Sequence, residues 1–331
     1  MSKTYLHRPN RLVRMSLAGM VGCVGASIAG CHSPSPYTPV PYTAEDWTYR
    51  GAKGSECTSA HYIVRTTCKS KPFVDALPGF LESCYLAYSE LLPAPSGSER
   101  PLETYLFQTR WQWERFTEEF AGPRAETYKQ IRSGGYSERG VTVSHYGSRR
   151  STLSILAHEG LHQYLDATHG PSIPAWINEG LACYFESFDL DEEGRPVFNP
   201  RQNTLRTPAL RKQFSNKSMK PLKELLGTNA GREIHNPTQQ VLGCYSQWWS
   251  LIVFLQRPPR ENPYHAGFQE LLRELGSESM DRKAQAFMAA DTDGTMTFGE
   301  AVFRAYVTDD LEKFEAEYEA FLPELLSLMV S

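Results

Sequence analysis

The chain has 331 residues, 40% hydrophobic and 12% aromatic, which is enough for a sizeable core in one elaborate domain or two modest ones. Lysine and arginine total 34 against 38 acidic residues, a formal net charge of −4, and no basic block stands in the mature region. That balance argues against a nucleic-acid binder and excludes little else.

Residues 1–30 read as a signal peptide rather than part of a fold. Lys3, His7, Arg8, Arg11 and Arg14 form a positive segment ahead of an apolar run from Met15 to Ala29. The run is short for a membrane span, which needs about 20 residues. Ile28-Ala29-Gly30-Cys31 resembles a bacterial lipobox, so Cys31 is the expected lipidated residue. The expected location is the bacterial cell envelope, tethered to a membrane and facing the periplasm or exterior. Residues 31–56 read as a linker, with prolines dense enough up to Tyr42 to favour an extended polyproline stalk.

Cys57, Cys68, Cys84, Cys183 and Cys244 remain in the mature chain, an odd number that leaves at least one outside any disulfide. Cys57 with Cys68, flanking a strand-like segment, and Cys183 with Cys244 are the expected bridges. Residues 57–256 read as one domain, its sheet part over 57–150 and its metal-site helices over 151–256, followed by a helical region over 257–331. The expected class is α+β, a small N-terminal mixed sheet with helices packed on a mostly helical remainder.

From His61 the alternation His-Tyr-Ile-Val-Arg-Thr predicts a strand. Val74 to Leu92 carries apolar residues at helical spacing, Leu102 to Phe107 predicts a second strand, and Arg110 to Phe120 a short aromatic helix. Trp111, Trp113, Phe116 and Phe120 are expected as packing surface rather than a substrate platform. Gly140 to Tyr146 predicts a third strand just before the central motif, with His145 at its end as a packed or surface residue.

Ser151 to Phe188 organises the chain. Its centre, His158-Glu159-Gly160-Leu161-His162, places two histidines four apart on a helix, with Cβ atoms about 6 Å apart on one face. Both imidazoles can converge on one ion, and zinc suits imidazole nitrogen best. Glu159 can then reach a water held at that ion. His169-Gly170-Pro171 and Pro174 end the first helix and let a second begin, which brings Glu179 back as a third ligand. Two histidines, one glutamate and an open fourth position make the arrangement of a hydrolytic zinc site.

HEGLH followed by PAWINEGLA resembles the gluzincin-type metallopeptidases, and more narrowly the peptidase-MA-like bacterial proteins of the DUF1570 type. The resemblance runs from about His61 to the C-terminus and is strongest over 151–188. It implies one zinc per chain held by His158, His162 and Glu179, Glu159 as general base, and a peptide or protein substrate. It also implies that the strand before the metal helix edges the cleft. Thermolysin-like members carry an aspartate four residues after the ligand glutamate, and here that position is Cys183. Asp166 or Glu186 is the expected substitute, orienting a ligand histidine from outside.

Beyond Phe188, Asn199 to Lys220 is polar and irregular, read only as a wall of the cleft, and Pro221 to Leu226 predicts a short helix. Val241 to Leu255 is the most apolar stretch of the mature chain and predicts a buried core helix. Tyr245 on it is a candidate donor to the oxyanion, against the plainer role of a core tyrosine, and His235 could approach the metal from a loop. Helices are expected at Phe268–Leu275, Met280–Ala290, Phe298–Tyr306 and Leu311–Met329. The Asp291-Thr-Asp293-Gly294 stretch reads as a turn, because its glycine falls at the wrong place for a calcium loop. Two rivals to the peptidase stand: a zinc-binding envelope scaffold without turnover, and a structural lipoprotein in which the motif is accidental.

Overall fold

Alternation of side chains along the central strands gives the sheet two packed faces. The computed structural model describes residues 40–94, 100–131, 134–229 and 238–328. The expected signal peptide, Cys31 and His235 lie outside them. The sheet runs in the order β1 (Thr43–Tyr49), β2 (Ala52–Thr58), β3 (Tyr62–Thr66), β4 (Leu102–Phe107), β6 (Val141–His145) and β5 (Gly135–Glu138). β3, β4 and β6 are parallel, whereas β1 with β2, β2 with β3, and β5 with β6 are antiparallel. Tyr62, Val64, Leu102 and Leu106 enter the main core, and Phe107, Tyr136 and Val143 enter a smaller core on the other face.

Two helices cover the main-core face, α1 (Lys71–Leu91) and α4 (Arg149–Thr168), which pack on each other. α1 starts before Val74 because Pro72 fits a first turn, where its missing N–H costs nothing. α2 (Arg110–Ala121) covers the opposite face, with Trp113 fully buried and Phe116 and Phe120 packed beside it; Trp111 stays exposed. The aromatics are therefore mostly packing surface, as expected. α3 (Ala125–Tyr128) leads into β5, and His145 leans on Trp113, away from α4.

The mostly helical region begins at α5 (Ala175–Tyr184). It continues through the small hairpin β7 (Phe188–Leu190) and β8 (Pro196–Phe198), then α6 (Thr207–Ser215) and α7 (Leu222–Gly227). α8 (Thr238–Leu255) is the expected core helix, with Trp248, Trp249, Leu251 and Ile252 fully buried. α9 (His265–Glu274), α10 (Glu278–Ala290), α11 (Phe298–Tyr306) and α12 (Leu311–Ser327) complete it. Asp291 forms the expected turn, its carboxylate accepting the Met296 N–H at 2.7 Å, and Thr297 caps α11. The chain is thus α+β, a six-stranded mixed sheet with helices followed by a mostly helical region. No helix among the described residues is long and apolar enough to cross a membrane.

Two expectations are corrected. The linker does not extend to residue 56, because β1 and β2 form a hairpin turned by Arg50 and Gly51, both at positive φ as a tight two-residue turn requires. Four of the first residues of β1 are exposed, so no alternation announces it. Nor does a disulfide join Cys57 to Cys68 or Cys183 to Cys244. Cys57 lies opposite Val64 in the β2–β3 ladder, so Cys68 falls four residues further along, about 13 Å away at 3.3 Å per residue. That separation is beyond the reach of a bridge. Cys183 is turned toward His158 and Glu186 instead.

α5 and α8 touch most closely at Gly180, where an added Cβ would meet Trp248 O at 2.8 Å and Ile252 Cγ1 at 2.6 Å. Gly180→Ala should therefore destabilise the protein by about 1–3 kcal/mol, the usual cost of overpacking, read as a lower urea midpoint.

Candidate metal centre

α4 begins with a reciprocal cap. Ser148 Oγ accepts the Ser151 N–H at 3.2 Å, and Ser151 Oγ accepts the Ser148 N–H at 3.1 Å. It ends at His169, where Gly170 at φ 78° turns the chain. Leu153, Leu156, Ala157, Leu161 and Leu165 bury the helix around the motif. Gly160 sits where an added Cβ would meet Tyr88 Oη at 3.2 Å, so α1 approaches closely there, and Tyr88 Oη donates to Ala157 O at 2.6 Å.

α5 follows Pro174 and carries Glu179 to the Nε2 ends of the two imidazoles. His158 Nε2 and His162 Nε2 are 3.1 Å apart, and Glu179 Oε2 lies 3.5 Å from the first and 3.4 Å from the second. Zinc at about 2.0–2.1 Å from each ligand in a tetrahedron spaces those ligands about 3.3–3.4 Å apart. The triangle matches that spacing.

The other ring nitrogens decide what the triangle can hold. His162 Nδ1 lies 2.7 Å from Asn178 Oδ1, an acceptor, so Nδ1 carries a proton. His158 Nδ1 lies 2.8 Å from Glu186 Oε1, a close ion-pair contact that is off the straight N–H direction. Two imidazole nitrogens and a carboxylate oxygen thus face one point, and Glu179 Oε2 is buried without a hydrogen-bond donor among the described residues. Such a set could hold a metal ion, and its donors are of the kind zinc takes.

The electrostatics agree. Burial opposes a charged His158, yet its partners Cys183, Glu179 and Glu186 raise it well above the ordinary histidine value. Burial likewise opposes charge on His162, and Glu179 lifts it above that value. Burial would raise Glu179, but the two histidines hold it far below the usual carboxylate range. Glu159 is pushed up by burial, and the histidines only partly pull it back.

Glu186, one of the two residues expected to orient a ligand, does meet His158. Its carboxylate is held at about 2 because Arg206 and His158 outweigh its burial. Arg206 Nε donates to Glu186 Oε2 at 2.8 Å, Nη2 bonds Oε1, and Asn203 Nδ2 donates to Oε2 at 3.1 Å. A second set, His158, Cys183 and Glu186, also clusters. There the Arg206 guanidinium already supplies the cation, and burial raises the Cys183 thiol and keeps it protonated. Asp166 is not brought to a ligand nitrogen; it lines the cleft beside His162, and Asn178 holds His162 instead.

That cleft has a volume of about 260 Å³ and is lined by Ser137, Glu138, Arg139, Asp166, His162 and Glu179 among others. Its strand is β5, the edge of the sheet, so the expectation that the strand preceding α4 forms the rim is corrected: β6 lies one strand inward. Ser137 Oγ donates to Glu159 O at 2.8 Å, and Gln163 Nε2 donates to Glu103 O and Gly140 O at 2.6 and 2.8 Å. These bonds fix the edge strand against the metal-site helix. Tyr245 is also brought in, its ring 6.3 Å from that of His158 and nearly parallel to it.

Residues 152–273 match a family described as "Protein of unknown function (DUF1570)". No curated protein and no solved structure matches the chain. The DUF1570 match contains His158, His162, Glu179, Glu186, Arg206 and Tyr245, and leaves out the whole six-stranded sheet. Asn178, Asn203, Arg206 and Ser137 were not singled out from sequence. Asn178 alone had a signal, its place immediately before Glu179 in Trp-Ile-Asn-Glu-Gly.

Asn178→Ala should lower zinc affinity by about 10–100-fold, measured by competition with a chromophoric chelator, because His162 loses its orienting acceptor. Zinc must also displace the protons that the raised histidines bind. Affinity should therefore rise with pH through the neutral range, with proton release visible calorimetrically in buffers of different ionisation heat.

Proposed function

We propose that the chain is a zinc-dependent hydrolase acting on peptide bonds, tethered at the bacterial cell envelope through Cys31. The observation that carries this reading is the triangle of His158, His162 and Glu179, with ligand atoms 3.1–3.5 Å apart. When bound there, zinc would polarise a scissile carbonyl and lower the pKa of a water towards ~7.

The protein's own groups do the rest. Glu159, adjacent to His158 and lifted by burial, takes a proton from the attacking water and returns it to the leaving amine. A carboxylate raised toward neutrality suits that exchange, since it both accepts and releases the proton readily. Tyr245 has a phenol beside His158 and within electrostatic reach of Glu179 and Glu159, suited to donate to a carbonyl oxygen as charge develops. β5 supplies an edge on which an extended peptide can pair through main-chain hydrogen bonds.

Mass spectrometry of metal content, with a peptide-library screen, tests this on protein that begins after Cys31. One zinc per chain is expected. Glu159→Gln should keep that zinc and lose about 10²–10⁴-fold in turnover. His162→Ala should lose both. Zinc without cleavage of any library peptide would instead identify a binding scaffold, and protein that takes up no zinc would end both readings.

A further inference from the structure

The polar stretch after Asn199 builds a clamp around the outer side of His158. Asn203 stands at its turn, its Oδ1 accepting the Leu205 and Arg206 N–H groups at 3.0 and 3.2 Å. Its Nδ2 donates to Cys183 O at 2.9 Å and to Glu186 Oε2 at 3.1 Å. Arg206 follows and grips both oxygens of Glu186. The same guanidinium lies over the Tyr245 ring, its Cζ 5.1 Å from the ring centre. Glu186 meets His158 at Nδ1, and the Tyr245 ring stands alongside the imidazole with its centre 6.3 Å away.

We propose that Arg206 is a positioning residue of the metal centre, fixing Glu186 against His158 Nδ1 and the Tyr245 ring beside the same imidazole. The inference rests on the zinc reading above. A planar fork is needed for it: two N–H groups engage the two carboxylate oxygens while the flat face meets the phenol ring. Lysine has one point charge and cannot do both.

The test uses Arg206→Gln, Arg206→Lys, and the joint replacement Glu186→Met with Arg206→Met. Zinc affinity is measured by chelator competition, and the visible spectrum of the cobalt-loaded protein reports ligand geometry; circular dichroism checks folding. Arg206→Gln should lose about 10–100-fold in zinc affinity and alter the cobalt spectrum. Arg206→Lys should fail to restore either. The joint replacement removes a buried ion pair as a unit, which usually preserves the fold, and should lose zinc affinity to the same degree. It decides the matter if the single variants do not fold. Wild-type affinity with an unchanged cobalt spectrum in any folded variant would overturn the positioning role and leave the zinc site standing. A wild-type protein that binds no zinc would overturn both together.

Discussion

Three buried atoms set the terms for the rest of the molecule: two imidazole nitrogens 3.1 Å apart and a carboxylate oxygen within 3.5 Å of each. A buried polar group left unsatisfied costs about 1–3 kcal/mol, and more when charged. Each of them is held from behind. Asn178 holds His162, Glu186 holds His158, and α5 is locked against α8. These supports keep the three atoms converged in a group that could hold a metal ion.

Two glycines make the convergence sterically feasible. Gly160 lets the Tyr88 hydroxyl reach the backbone of the metal-site helix, and Gly180 lets α5 rest on the carbonyl of Trp248. Each stands next to or within one residue of a site residue, Glu159 and Glu179 respectively. Buried indoles then tie the layers: Trp176 Nε1 donates to Gly299 O at 3.1 Å, Trp248 Nε1 to Leu225 O at 3.2 Å, and Trp249 Nε1 to Pro200 O at 2.8 Å. The last of these anchors the start of the segment that carries Asn203 and Arg206. Packing energy and site geometry are therefore supplied by the same residues.

What could be read from sequence was whatever depends on local period and spacing. The four-residue step from His158 to His162, the break before Pro174, the strand at Leu102–Phe107 and the helix at Phe298–Tyr306 all follow from patterns a few residues long. Glu179 was reachable because one turn separates its helix from α4. Arg206 and Asn203 were not, because their partners Cys183 and Glu186 lie 17–20 residues away, across the short β7–β8 hairpin. The β1–β2 hairpin escaped for a different reason. Its exposed edge strand carries Thr43, Ala44, Glu45 and Asp46, a polar start that resembles the linker before it. The Cys57–Cys68 expectation failed because spacing along a strand says nothing about register with its neighbour.

The strand order has a geometric consequence. Thr43 enters on β1, one margin of the sheet, while β5 forms the opposite margin beside the cleft. Five inter-strand steps of about 4.8 Å put roughly 24 Å of sheet between them. Thr43 and the cleft therefore stand on opposite margins of one sheet.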